Sequence, residues 1–271
     1  MGELDGKVAI ITGAGRLRGI GRATAVALAR QGADVVVTGT GRSPDSFPPD
    51  EKEVGWRDIE STAEQVRALG RQALPLVGDI SMAEDVQRMV DATMKEYGRI
   101  DILVNNAAFR RGEDRVTPDK LEEWIFRRVL DIKVVGSFLL SRAVGEVLLR
   151  QGQGGRIVNV SSVAGKRGSA ATAAYSASNF AVQGLTQCFA HWLAPSGATC
   201  NAICPGVTDT HRMDDLGYPR GERWARTLGG IPLKRAATDD EIAGVIAFLC
   251  TPAAGYITGQ SINVCGGMVM W

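Results

Sequence analysis

The first residues with a chemistry of their own are Thr12-Gly13-Ala14-Gly15-Arg16-Leu17-Arg18-Gly19-Ile20-Gly21, which follow the aliphatic run Val8 to Ile11 and precede a helical run beginning Arg22-Ala23. Glycines in such a turn permit a sharp reversal, let the backbone approach a pyrophosphate and let the helix pack close. The helix N-terminus adds free N–H groups and the positive end of a dipole. Binding of a diphosphate-containing nucleotide is the chemistry expected. A purely structural turn is the alternative, and the placement at a strand-to-helix junction, with the next strand starting at Val35, weighs against it.

Such a turn needs elements to hold it. Continuous rather than alternating aliphatic runs recur at Val8 to Ile11, Val35 to Val37, Leu74 to Val77, Ile102 to Val104, Ile157 to Val160 and Thr199 to Ile203. Strands buried on both faces read this way. Between them, Ala23 to Arg30, Ile59 to Leu69, Ala83 to Tyr97 and Phe180 to Leu193 carry apolar residues at helical spacing. Glu241 to Leu249 and Thr258 to Val264 add a last helix and strand. Repeated strand-helix alternation implies right-handed crossovers, hence an α/β fold: a single doubly wound, Rossmann-type domain over residues 1–271, with a mostly parallel sheet and helices on both faces. Two stretches read as insertions. Residues 43–58 are polar with three prolines and predict a long loop; residues 211–230, with Arg212, Arg220, Arg223 and Arg226 among glycines, predict a substrate lid.

Composition narrows the partners. With 31 basic against 30 acidic residues, the net charge of +1 leaves no electrostatic footprint for nucleic acid or an anionic membrane. The five cysteines form no C-x-x-C pair, so buried free thiols are expected and no metal site. The start, Met1-Gly2-Glu3-Leu4-Asp5-Gly6-Lys7, has no apolar signal core and no stretch reaches a membrane span, so a cytoplasmic protein is expected.

Several motifs together resemble the short-chain dehydrogenase/reductase family, in particular its 3-oxoacyl-acyl-carrier-protein-reductase-like members, over nearly the whole chain. T-G-A-G-R-L-R-G-I-G is similar to the fingerprint T-G-x-x-x-G-x-G with two residues added. Gly78-Asp79-Ile80 resembles the acidic strand end that contacts adenine, and Asn105-Asn106-Ala107-Ala108 resembles N-N-A-G with alanine for glycine. Pro205-Gly206 with Thr210 matches P-G-x-x-x-T beside the nicotinamide amide, and Tyr256 to Gly267 is similar to the C-terminal strand region. The resemblance implies an oxidoreductase that moves a hydride between a nicotinamide cofactor and a carbonyl or secondary alcohol. It assigns Gly13, Arg16, Arg18, Gly19, Ile20, Gly21, Arg42, Asp79, Ile80, Asn106, Ala107, Tyr175, Pro205, Gly206 and Thr210 to cofactor binding.

By the same resemblance Ser162, after the run Ile157 to Val160, orients the carbonyl, and Tyr175, thirteen residues on, donates or accepts the proton. The residue types fit: hydride arrival leaves alkoxide character on oxygen, which a serine hydroxyl stabilises and a tyrosine hydroxyl protonates. The family places a lysine one helical turn after the tyrosine, where i and i+4 side chains share a face; here that residue is Asn179. The family's asparagine in N-x-x-G-x-F is here Lys133, in Lys133-Val134-Val135-Gly136-Ser137-Phe138. The departures are reciprocal, and the expectation is that Lys133 reaches across to serve Tyr175 and the ribose while Asn179 hydrogen-bonds a water or ribose hydroxyl. An ordinary surface lysine with a lost catalytic centre is the alternative, and would make the chain an inactive nucleotide-binding homologue.

The second strand ends Val37-Thr38-Gly39-Thr40-Gly41-Arg42, without the acid that would bind a ribose 2′-hydroxyl. Arg42, Arg18 or Arg16 would pair with a 2′-phosphate instead, so NADP(H) is favoured over NAD(H). Arg110, Arg111 and the lid arginines allow an anionic substrate, while Met213, Leu216, Tyr218 and Trp224 allow an apolar one. By resemblance a homodimer or homotetramer is expected, through the long central helices and the C-terminal strand, with the apolar end Met268-Val269-Met270-Trp271 able to face a neighbour.

Overall fold

A computed structural model describes residues 2–109, 112–217 and 221–271. Arg110, Arg111, Tyr218 and Arg220, and the Arg223 side chain, lie outside this description, so their expected roles at the site are not addressed by it.

Seven parallel strands form one sheet: β1 (Val8–Thr12), β2 (Asp34–Gly39), β3 (Ala73–Val77), β4 (Ile102–Asn105), β5 (Gly155–Val160), β6 (Ala198–Pro205) and β7 (Ser261–Val264), in the order β3-β2-β1-β4-β5-β6-β7. The continuous aliphatic runs follow from burial on both faces. Ala9 and Ile11 of β1 point into one apolar cluster with Val35, Val37, Leu28 and Ile246. Val8 and Ile10 point the opposite way, into a second cluster with Val36, Leu103, Leu140 and Leu148. Alternate residues of a strand must face opposite sides, so a strand sandwiched between helix layers is apolar at most of its positions.

The helices are α1 (Ile20–Arg30), α2 (Pro49–Glu53), α3 (Ile59–Ala68), α4 (Ala83–Tyr97), α5 (Glu123–Leu130), α6 (Gly136–Gln151), α7 (Ala173–Leu193), α8 (His211–Asp215), α9 (Glu222–Gly229) and α10 (Asp239–Cys250). Between α5 and α6 the chain makes a π-turn at Asp131–Val135, which carries Lys133. Such a widened turn shifts the register of the side chains that follow it and is frequent at functional sites.

The sheet order reverses between β1 and β4, and an open α/β sheet binds ligands at the carboxyl ends of the strands flanking such a switch. The segment 43–58 departs from the expected polar loop. It contains α2 and buries Phe47 and Trp56, because it packs against the glycine-rich turn instead of extending into solvent. Residues 211–217 and 221–230 form the short helices α8 and α9 outside the sheet layers.

Candidate active site and cofactor cleft

The carboxyl ends of β1 and β4 are stitched together by side chains. The Thr12 hydroxyl accepts from the Asn106 and Ala107 backbone N–H groups, both at 3.0 Å, and Asn106 Nδ2 donates to the Thr12 and Gly13 carbonyls at 2.8 and 3.0 Å. Gly13 adopts φ 66°, and a Cβ there would lie 2.9 Å from Ala107 Cα; at Gly21 a Cβ would lie 2.6 Å from the Gly13 oxygen. Only glycines permit this tightness. Above the stitched turn opens a cleft of about 1130 Å³, open-solvent space included, lined among others by Gly13, Arg16, Arg18, Gly19, Ile20, Gly21, Arg42, Asp79, Ile80, Asn106, Ala107 and Thr210. A cradle emptied of Cβ atoms at a helix N-terminus fits a dinucleotide diphosphate. The Gly19 N–H is itself taken, donating to Asp239 at 3.0 Å.

The arginines expected at a 2′-phosphate are all paired. Arg42 is buried: its Nε donates to Asp58 at 2.9 Å, Nη1 to Glu51 at 2.9 Å and Nη2 to the Gly15 carbonyl at 2.8 Å, while Phe47 covers its plane. Burial alone would lower its pKa, but the hydrogen bonds and charges of Glu51 and Asp58 more than reverse that. Arg18 bridges Asp50, Asp209 and Asp214, and Arg16 pairs with Asp215 at 2.7 Å. The inserted segment thus brings two carboxylates, Glu51 and Asp58, onto Arg42. Asp79 lines the cleft with its carboxylate held by Arg128 and Ser81, which outweigh burial and lower its pKa.

Ser162, Tyr175, Lys133 and Asn179 do not line this cleft, and neither do Pro205 and Gly206 at the end of β6. Ser162, just past β5, accepts from the Ala164 N–H at 3.1 Å, which leaves its hydroxyl proton free to donate to a ligand. Tyr175, half-buried in the first turn of α7, has the Arg115 guanidinium 3.6 Å and that of Arg212, on α8, 5.5 Å from its ring centroid. Lys133 is 4% exposed, its ammonium nitrogen 2.5 Å from the Val160 carbonyl and 3.5 Å from that of Ala107. Burial, and then the charge of Arg212, push its pKa down to about 7. Its π-turn packs against α7, the helix that carries Tyr175. Asn179 is fully buried, and its Nδ2 turns back to the Tyr175 carbonyl at 2.8 Å; its Oδ1 is left as a buried acceptor without a partner.

A family model described as enoyl-(acyl carrier protein) reductase matches residues 13–269. The chain belongs to the short-chain dehydrogenase/reductase family. It is similar to a 3-oxoacyl-[acyl-carrier-protein] reductase of Synechocystis sp., 38% identical with both chains fully covered. It is also similar to a galactitol 2-dehydrogenase of Agrobacterium fabrum, 34% identical over 98% of each chain. Among solved structures, a short-chain type dehydrogenase/reductase from Mycobacterium marinum superposes with a TM-score of 0.85 at 30% identity, covering 99% of this chain and 97% of that one. As a family member the chain is an oxidoreductase.

Asp58 and Glu51, from the inserted segment, and Arg115, from the stretch after β4, carried no functional signal of their own in the sequence; their partners, like the contact of Arg212 with Tyr175, are set by the fold rather than by spacing. Among the described residues no cluster of three or more metal-ligating side chains occurs, and no helix is long and apolar enough to cross a membrane.

Proposed function

We propose that this oxidoreductase interconverts a ketone and a secondary alcohol, with Tyr175 as proton donor and acceptor, Ser162 orienting the substrate oxygen and Lys133 in the place of the usual lysine. The observation that carries the reading is the buried Lys133 amine, held against the last carbonyl of β5, immediately before the Ser161-Ser162 pair, with no carboxylate partner among the described residues. An uncompensated buried amine is costly, and such groups concentrate at functional sites. It is hard to account for as an ordinary surface lysine.

The nicotinamide cofactor, when bound, supplies or takes the hydride. We assign its diphosphate to Gly13, Gly19, Ile20 and Gly21, its adenine to Asp79 and Ile80, its inner ribose to Asn106, Ala107, Tyr175 and Lys133, and its amide to Pro205, Gly206 and Thr210. Lys133 and Ser162 then sit on either side of the proton-transfer position. Asn179 Oδ1, left without a partner, is suited to accept from a water that relays protons toward Lys133. The relatives named for a 3-oxoacyl group and for galactitol share a secondary carbinol or ketone carbon, which is the substrate feature inferred here. Residues 211–230 are read as the lid over that substrate. Phe138, Phe180 and Trp192 are exposed on the central helices α6 and α7, as are Met270 and Trp271 at the end of the chain; these favour a homodimer or homotetramer.

The test is the initial rate of reduced nicotinamide oxidation with 3-oxoacyl and simple ketone substrates, for the wild type, Tyr175→Phe and Lys133→Met. Loss of a positioned acid–base group lowers turnover by roughly 10²–10⁴-fold. Both variants are expected to show a kcat loss of that size with cofactor binding changed far less. Undiminished turnover in Lys133→Met would remove Lys133 from the mechanism; undiminished turnover in Tyr175→Phe would remove the whole reading.

A further inference from the structure

The end of β2 has no acid of its own, and a strand end of that kind leaves the adenosine ribose unread. The structure puts one there from elsewhere in the chain. A Cβ built at Gly39, the last residue of β2, would lie 3.8 Å from Asp58 Oδ2, and one built at Gly15, in the glycine-rich turn, would lie 1.9 Å from Asp58 Oδ1. The Asp58 carboxylate therefore fills the space between the turn and the strand end, and it lines the cleft beside Gly15, Gly39 and Thr40. This is where a dinucleotide-binding fold places the carboxylate that accepts from a ribose 2′-hydroxyl.

Two features show that this placement is enforced by the surroundings. Asp58 is the residue before α3, where an aspartate side chain ordinarily caps the helix, yet its carboxylate makes no capping bond. It also holds φ 52° and ψ −131°, a backbone state that persists only where neighbouring contacts over-determine it. Those contacts are on hand. Arg42 grips the carboxylate through its backbone N–H at 3.0 Å and its Nε at 2.9 Å, and Trp56 Nε1 and Arg42 Nη2 both donate to the Gly15 carbonyl, at 2.6 and 2.8 Å. Each Asp58 oxygen keeps a further lone pair for a hydroxyl donor.

We propose that Asp58 is the ribose-reading acid of this enzyme, delivered by the inserted segment, and that it makes the chain select NAD(H) against NADP(H). The proposal rests on the cofactor site assigned above and reverses the preference expected from the arginines alone. A 2′-phosphate would meet the Asp58 carboxylate, and the nearby arginines already face carboxylates: Arg42 with Glu51 and Asp58, Arg18 with Asp50, Arg16 with Asp215. Like charge brought against like charge is how binding sites reject a wrong partner.

The experiment is calorimetric titration of the full-length protein, without substrate, with NADH, NADPH and two fragments that differ only in the 2′-phosphate, 5′-AMP and adenosine 2′,5′-bisphosphate. The wild type is expected to bind NADH and 5′-AMP roughly tenfold or more tighter than their 2′-phosphorylated counterparts. Asp58→Asn, which keeps the shape and tolerates the positive φ, is expected to shrink that ratio mainly by improving NADPH binding. Equal or tighter binding of NADPH and the bisphosphate by the wild type overturns the proposal while leaving the cofactor site intact. A ratio unchanged in folded Asp58→Asn overturns the role of Asp58. Binding of none of the four ligands overturns the cofactor site itself. The wild-type ratios decide the preference even if the variant does not fold.

Discussion

At the scale of single residues, Lys133 is where stability and chemistry oppose each other. Its folded pKa of about 7 lies below the ordinary 10.5 because burial disfavours the ammonium. Between those values the folded protein binds fewer protons at this site than the unfolded chain, so the contribution of Lys133 to stability improves as pH rises from 7 toward 10.5 and is most unfavourable below 7. Replacing it with the similarly shaped Met should therefore raise stability at pH 6 by about 1–4 kcal/mol, and by less at pH 9. Urea midpoints at the two pH values measure this; a variant less stable than the wild type at pH 6 contradicts the argument. The same substitution is expected to cost turnover, which is the trade-off of an active-site residue. Lys133 and Asn179 stood out in the sequence because each departs from a pattern that the resemblance supplies. What the sequence did not show is that the Asn179 amide nitrogen turns back onto the Tyr175 carbonyl of its own helix.

At the scale of elements, the strands and main helices were legible because burial on two faces and the helical period write themselves into local residue order. The inserted segment was not. Its charged residues read as a solvated loop, whereas their partners lie far away in sequence: Glu51 accepts from the Leu17 N–H at 2.9 Å and from Arg42, and contacts His211 at 3.3 Å. Burial raises the Glu51 pKa, but His211, Arg42 and the Leu17 N–H together bring it down to about 2 from 4.5. An acid depressed in the folded state stabilises above its unfolded pKa, and that contribution is lost as pH falls from about 4.5 toward 2. Glu51→Gln should therefore destabilise the protein by about 3 kcal/mol at pH 7, because it leaves a buried guanidinium under-compensated, and by much less at pH 3. Chemical denaturation at both pH values measures the difference; equal losses at pH 7 and pH 3 would show that Glu51 acts through packing and not through its charge. The two extra residues in the glycine-rich turn and the inserted segment thus form one structural unit, the second bracing the first.

Across the whole molecule the same charges bridge the mouth of the cleft. His211 opens α8, is 1% exposed and contacts Asp50 at 2.8 Å and Glu51 at 3.3 Å, while Arg18 ties the glycine-rich turn to Asp50 on one side and to Asp209 and Asp214 on the other. The inserted segment, the glycine-rich turn and α8 are therefore coupled through one network. Burial lowers the His211 pKa, but Glu51 and Asp50 raise it above the ordinary 6.5. A base raised in the folded state stabilises fully below its unfolded pKa, and that stabilisation is lost as pH climbs through the higher folded value. Helix α8 should accordingly be held tightest at mildly acid pH and loosen in alkali. Hydrogen exchange corrected for its intrinsic rate reads this directly: amides of residues 211–217 should lose protection from pH 6 to pH 9 more than those of the β1 and β4 core. In His211→Gln that extra loss should vanish, since a neutral amide keeps a hydrogen bond but has no proton to give up. An equal loss in the variant would place the pH sensitivity elsewhere, and α8 would then be anchored by the arginine bridges alone.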